Sequence, residues 1–223
     1  QTGQSCQVTA QMVLVCCWRS MKEISLLLGL LCQNLPLQST PDSKDGLLMF
    51  HQVREIGEYF KCQLLQSRHR GAFELAYVGF VKLTEMLTSC NNRDLQKLPQ
   101  QWLEEVLLEV KSSSPVSKLC ATRRSAGIPF YIQALVSSEP RGSNLGLLKL
   151  TMKELISLAL PLAMCQDEHA TIPQVHALNI LRALFRDTRL GENVIPYVAD
   201  GIQAAILGFT SPVWAVSHNL LTL

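Results

Sequence analysis

The chain is short of aromatic residues, of net charge and of long apolar runs, and each shortage closes off a class of protein. Only 6% of its 223 residues are aromatic and strand-type alternation is scarce, so the apolar material has to serve helices. Twelve Gly and ten Pro are ordinary counts, which excludes collagen-like and disordered compositions. The formal net charge of +2 lacks the basic excess by which counterion release drives a dedicated DNA-binding domain. Any nucleic-acid contact must then come from a local patch. Residues 12–18 and 24–32 are apolar, but Arg19, Lys22 and Glu23 separate them, and neither run reaches the ~20 residues a bilayer span needs. No signal peptide precedes them. The reading is a soluble, cytoplasmic segment with buried helices and no membrane insertion.

Catalytic signatures are lacking too. P-loop, G-x-G-x-x-G, H-E-x-x-H and G-x-S-x-G strings do not occur. His51, His69, His169, His176 and His218 are dispersed, none at metal-ligand spacing from Cys or a carboxylate. Asp167, Glu168 and His169 group acid with imidazole in what reads as a solvated connector. The expectation is no catalytic residue, no metal and no cofactor. The eight cysteines form no C-x-x-C pair and mostly sit in apolar helical patterns, so reduced core thiols are expected.

What is present is a 48% hydrophobic complement, mostly Leu, Ala, Val and Ile at helical spacing. It predicts helices over about 8–33, 47–65 and 72–90, and another carrying Trp102, Val106, Leu107 and Val110. A further helix starts at Pro115 and continues, bent, to about 136. Four more follow at about 150–164, 173–189 and 196–209 and from Pro212, with Pro173, Pro196 and Pro212 each marking a start. Segments 37–46 and 137–144 read as flexible loops. About nine helices on short connections predict an all-α chain, an α-solenoid of HEAT- or armadillo-like helix pairs forming one segment over 1–223. A closed bundle is the other architecture the pattern allows.

Residues 122–130 (TRRSAGIPF) stand out. Arg123 and Arg124 project about 100° apart on a helix, Ser125, Ala126 and Gly127 allow close backbone approach, and Pro129 disfavours straight helix. Two guanidinium forks before a kink suit phosphate or carboxylate. A tight helix crossing, its arginines paired with neighbouring acids, explains the same residues equally well. On the helix over 173–189, His176, Asn179, Arg182, Arg186 and Arg189 follow at three- and four-residue steps as a basic ridge. The core side holds Val175, Leu178, Leu181, Leu184 and Phe185. A solvated face suited to the helix C-terminus is the blander account of the ridge. Arg68, His69 and Arg70 make a basic turn in which Glu74 pairs with Arg70. Trp18 and Trp102 belong to the core.

The string RRSAG followed by Ile128, Pro129 and Phe130 resembles the signature of the THADA family, thyroid adenoma-associated protein and its fungal relatives. Residues 17–23 (CWRSMKE), 68–74 (RHRGAFE) and 175–179 (VHALN) leading to Arg186 and Asp187 look like the same family. The likeness runs in order along essentially the whole chain and looks close to the vertebrate members. It implies a long HEAT-like solenoid of which this segment is a central part. Such a protein is similar to the non-catalytic regulatory subunit supporting 2′-O-ribose methylation of the tRNA anticodon loop, at nucleotide 32, by an FtsJ-type methyltransferase. S-adenosylmethionine and the catalytic residues would belong to that partner. The motif falls on Arg123, Arg124, Ser125, Ala126, Gly127 and Pro129, which the resemblance assigns to a surface for tRNA or the methyltransferase. Asn179, Arg182 and Arg186 are candidates for the same surface. The alternative it implies is an interaction scaffold with no direct RNA role, binding for instance a membrane calcium pump, with partners at the endoplasmic reticulum. After Trp214, Ala215 and Val216 the family continues Arg-Asn, whereas Ser217, His218 and Asn219 follow here, which suggests a truncated or alternatively spliced product.

Overall fold

A computed structural model describes residues 2–40, 43, 45–66, 70–112, 127–140, 142–160 and 172–208. Its helices are α1 Thr2–Asn34, α2 Phe50–Gln66, α3 Arg70–Ser89, α4 Arg93–Gln96, α5 Leu98–Lys111, α6 Ile128–Ser137, α7 Gly146–Ala159, α8 Ile172–Phe185 and α9 Val198–Gly208. Among the described residues the only extended pairing is an isolated bridge between Leu37 and Leu48. The fold is all-α, as the periodicity requires.

The helices sort into two layers by which of them touch. α1, α3, α6 and α8 lie side by side in that order, and α2, α5, α7 and α9 back them. Parallel neighbours in the first layer are tied by hydroxyls. Thr84 of α3 donates to the Ala134 carbonyl of α6 (3.5 Å), and Thr88 to that of Ser138 (3.0 Å). Ion pairs between Lys61 and Glu105 (2.6 Å) and between Lys111 and Glu154 (2.7 Å) join α2 to α5 and α5 to α7 in the second layer. Each helix thus meets chiefly its neighbours in series, the arrangement of stacked helix pairs.

An aromatic column seals the layers together. Phe80 of α3 stacks on Tyr131 of α6 (4.8 Å between ring centres, 9° between planes), with Phe60 of α2 at 5.8 Å and Trp102 of α5 at 6.0 Å. Burial of such a side chain contributes on the order of 2–3 kcal/mol. Among the described residues, the Tyr131 hydroxyl in this column, like that of Thr151, is buried without a hydrogen-bond partner. Between α1 and α3 the packing is closer still. A Cβ on Gly29 would stand 2.6 Å from the Gly79 Cα, and one on Gly79 would stand 2.2 Å from the Ser25 carbonyl oxygen. The two backbones meet with no side chain between them.

Several boundaries differ from the periodicity for local reasons. α2 starts at Phe50 rather than Leu47, because the Leu47 and Leu48 N–H groups are committed to the Pro36 carbonyl (3.0 and 3.1 Å). A short helix, α4, precedes α5, capped by the Asn92 side chain, which accepts from the N–H groups of Asp94 and Leu95. α7 begins at Gly146 because the Glu139 carboxylate caps the N–H groups of Leu147 and Leu148 (3.1 and 3.0 Å). Pro196 lies inside a 3-10 turn, Gly191–Tyr197, and α9 starts only at Val198.

Two expectations about the core fail. Cys16, Cys17 and Cys62 are exposed, and of the described free thiols only Cys32 is fully buried, its pKa pushed up to about 11 by desolvation. Trp102 is core, but Trp18 is only half-buried, with the Arg19 guanidinium 5.9 Å from its ring centre. Near Trp18 the described residues leave much of the helix uncovered: Met12 is 64% exposed, and Val13, Leu14, Val15, Ile24, Leu27 and Leu30 are exposed too.

Candidate functional site

The stretch 122–130 enters the structure at its last four residues. Arg123, Arg124 and Ser125 lie outside the described residues, as do Arg68, His69, 167–169 and Trp214. Gly127 is buried as the N-cap of α6 at φ −88°, ψ −12°, and a Cβ there would fall 1.8 Å from the Leu64 carbonyl oxygen of α2. The small residue is needed because two backbones touch, as the close-approach reading holds. Pro129 is placed differently from the bent-helix expectation. It occupies the first turn of α6, where its missing N–H is harmless, and α6 begins at Ile128 rather than passing through a kink. Ile128 is buried, and the Phe130 ring lies 5.4 Å from Phe73 and 5.5 Å from Tyr77 of α3. The described part of the stretch, from Gly127 to Phe130, is a packing junction between α6, α2 and α3.

The ridge on α8 is partly real. Asn179 and Arg182 are half-buried on α8, where the Arg182 guanidinium donates to the Asn179 side-chain amide oxygen (3.0 Å), and Arg186 is exposed one residue past the end of the helix. Burial, and then the neighbouring charge of Arg186, holds Arg182 below its usual pKa. His176, by contrast, is 3% exposed and belongs to the core, so it does not begin the ridge. Arg189 leaves it as well. α8 ends at Phe185, and the chain turns at Asp187, whose N–H bonds the Leu184 carbonyl.

That turn builds a network no local pattern announces. Arg189 holds Asp187 through three bonds, its backbone N–H (2.8 Å) and Nε (3.2 Å) to one carboxylate oxygen and a terminal nitrogen to the other (2.7 Å). The same guanidinium lies 5.2 Å from the Tyr77 ring centre and donates to the Tyr77 hydroxyl. Gln133 of α6 donates to the Asp187 carboxylate (2.7 Å). Burial alone would raise Asp187, but the bonds from Arg189 and Gln133 outweigh it and hold the carboxyl below its ordinary range. Desolvation pushes the Tyr77 hydroxyl up to about 12 despite the adjacent Arg189 charge. Arg189 also borders an open cleft of about 880 Å³ lined by Glu85, Ser137, Ser138, Gly142 and Asn193.

Among the described residues, no group of three or more His, Cys, Asp or Glu side chains could hold a metal, and no helix is long and apolar enough to cross a membrane.

Comparison with known proteins follows the same order of residues. A family model described as THADA/TRM732, DUF2428 matches residues 1–215. A Homo sapiens protein named tRNA (32-2′-O)-methyltransferase regulator THADA is 73% identical over 216 residues, 97% of this chain and 11% of its own length. The Mus musculus protein of that name is 70% identical over the same span. A Schizosaccharomyces pombe protein named tRNA (32-2′-O)-methyltransferase regulator trm732 is 32% identical over 94% of this chain and 13% of its own. The chain therefore spans about a tenth of the length of these relatives. No solved structure matches.

Proposed function

This chain belongs to the THADA/TRM732 family, and we propose that it is a segment of a non-catalytic, cytoplasmic regulatory subunit that supports 2′-O-methylation of ribose 32 in the tRNA anticodon loop by an FtsJ-type methyltransferase. The observation that carries the reading is the near end-to-end likeness to proteins whose names describe regulators of that modification. The geometry adds two supports. Gly127 against Leu64 is a tight backbone junction three residues after Arg124 in the sequence, and Arg186, exposed just past the end of α8, lies near enough for its charge to act on Arg182. Guanidinium groups so held suit phosphate oxygens, and a local group of them requires no large net charge. Their role is to present or grip the anticodon region while the partner supplies S-adenosylmethionine and the reacting groups.

The test is reconstitution with the methyltransferase at the full length of the relatives, reading anticodon-loop methylation. Arg123→Ala with Arg124→Ala is expected to lower the rate by at least about tenfold and to flatten its salt dependence. Unchanged methylation in a folded protein would overturn the role of these arginines. A second reading, a protein-interaction scaffold engaging partners such as a membrane calcium pump at the endoplasmic reticulum, draws on the exposed apolar faces of α1 and α9. It predicts complexes insensitive to salt and no binding of tRNA.

A further inference from the structure

The network around Arg189 joins helices that the stacking leaves apart. α6 lies between α3 and α8 in the first layer, and each repeat of such a stack rests on its neighbours. Arg189 crosses that gap. It stands four residues beyond the end of α8 and reaches Tyr77 on α3, 112 residues away, while Asp187 beside it is held by Gln133 on the intervening α6. Arg186 and Asp187 are consecutive, so fixing the Asp187 carboxylate fixes the backbone that carries Arg186. Gln133 sits six residues after Gly127, so the same bonds tie the ridge to the junction where the TRRSAGIPF stretch enters.

We propose that Tyr77, Gln133, Asp187 and Arg189 form a positioning clamp that holds the α8 ridge and the start of α6 in one fixed relation across three helices, for a partner that reads both together. None of the four is a phosphate ligand. The Arg189 fork is already filled by a carboxylate in two-bond geometry and by an aromatic face, which is where a guanidinium placed for structure ends. The choice of partner, the tRNA backbone, rests on the proposed function; the clamp itself does not.

The experiment uses the full-length protein with its methyltransferase and three substitutions, Asp187→Asn, Arg189→Gln and Tyr77→Phe, the last mild enough to fold where the others fail. In Asp187→Asn and Arg189→Gln the KM for tRNA is expected to rise about five- to tenfold with kcat within about twofold, and the double variant to be no worse than either alone, since the residues act as one unit. Tyr77→Phe, which keeps the ring, should show a smaller rise. The salt slope of tRNA binding should stay unchanged in Arg189→Gln, whereas Arg182→Ala with Arg186→Ala should reduce it by about two. A slope lowered by about one in Arg189→Gln makes Arg189 a phosphate ligand and overturns the clamp. So does an unaltered KM in all three variants.

Hydrogen exchange separates this from the reading it rests on. Asp187→Asn should speed exchange of the amides over 182–190 and 128–133 by at least about tenfold, with the rest of the chain unaffected. Unchanged exchange there sinks the clamp whatever methylation shows. Changed exchange with methylation indifferent to Arg123→Ala and Arg124→Ala sinks only the tRNA assignment.

Discussion

The N-terminal half of α1 and the start of α6 are both rich in apolar and small residues, yet one is bare and the other closed. Met12, Val13, Leu14 and Val15 face solvent, while Gly127, Ile128, Tyr131 and Ile132 are buried against α2 and α3. Composition does not separate them; neighbours do. α6 has helices on both sides within its layer and others behind it, whereas α1 packs mainly on α3. Apolar character on a helix thus states a capacity for contact, and the stack decides where the capacity is used.

The sharpest way to break the contrast is at the closed end. Gly127→Ala places a methyl where the Leu64 carbonyl already stands, and a shift of backbone must follow. We expect a loss of about 2–4 kcal/mol in urea unfolding, large for a one-carbon change. A loss below about 0.5 kcal/mol, the range of an ordinary surface change, would mean that the junction yields and that the closed end is not closed.

A middle-sized effect belongs to Asp187, whose neighbourhood is polar but almost as buried. Its folded carboxyl lies below the ordinary range, so its contribution is present above the unfolded value of about 3.9 and fades as pH falls through the folded one. Asp187→Asn should cost about 1–2 kcal/mol at neutral pH. The thermal midpoints of variant and parent should begin to converge as pH falls below about 3.9 and meet only below the lowered folded value, where the folded carboxylate takes up its proton. A gap that persists there would assign the effect to packing instead.

The smallest effect is predicted at the bare end. Met12→Ser with Val13→Ser should move stability by no more than about 0.5 kcal/mol, since both side chains are exposed among the described residues. A drop above about 1 kcal/mol would show that this half of α1 is packed in solution, and the contrast with α6 would collapse.

Much of the fold can be read from periodicity because it is a local property. Trp102, Val106, Leu107 and Val110 recur at helical spacing, and all four are core. The need for a small residue at 127 is legible as well, though its cause, the Leu64 carbonyl, is not, since the contact spans 63 positions of chain. Arg189 shows the limit most clearly. Its spacing continues the ridge of Asn179, Arg182 and Arg186, yet α8 has ended before it, and its partner on α3 is far away in sequence. The exposed Cys16 and Cys17 fail in the opposite way. An apolar context promised burial that only a neighbouring helix could supply.

The glycine crossing of α1 on α3 has a mechanical meaning. α1 is held along its C-terminal part, Met21 and Ser25 meeting the Tyr59 hydroxyl and Gln33 accepting from Lys82 of α3. With bare backbone at the crossing, a displacement of α1 passes to α3 without a compressible side chain to absorb it. The crossing couples α1 stiffly to the aromatic column, Phe60 lying 2.8 Å from where a Gly79 Cβ would stand.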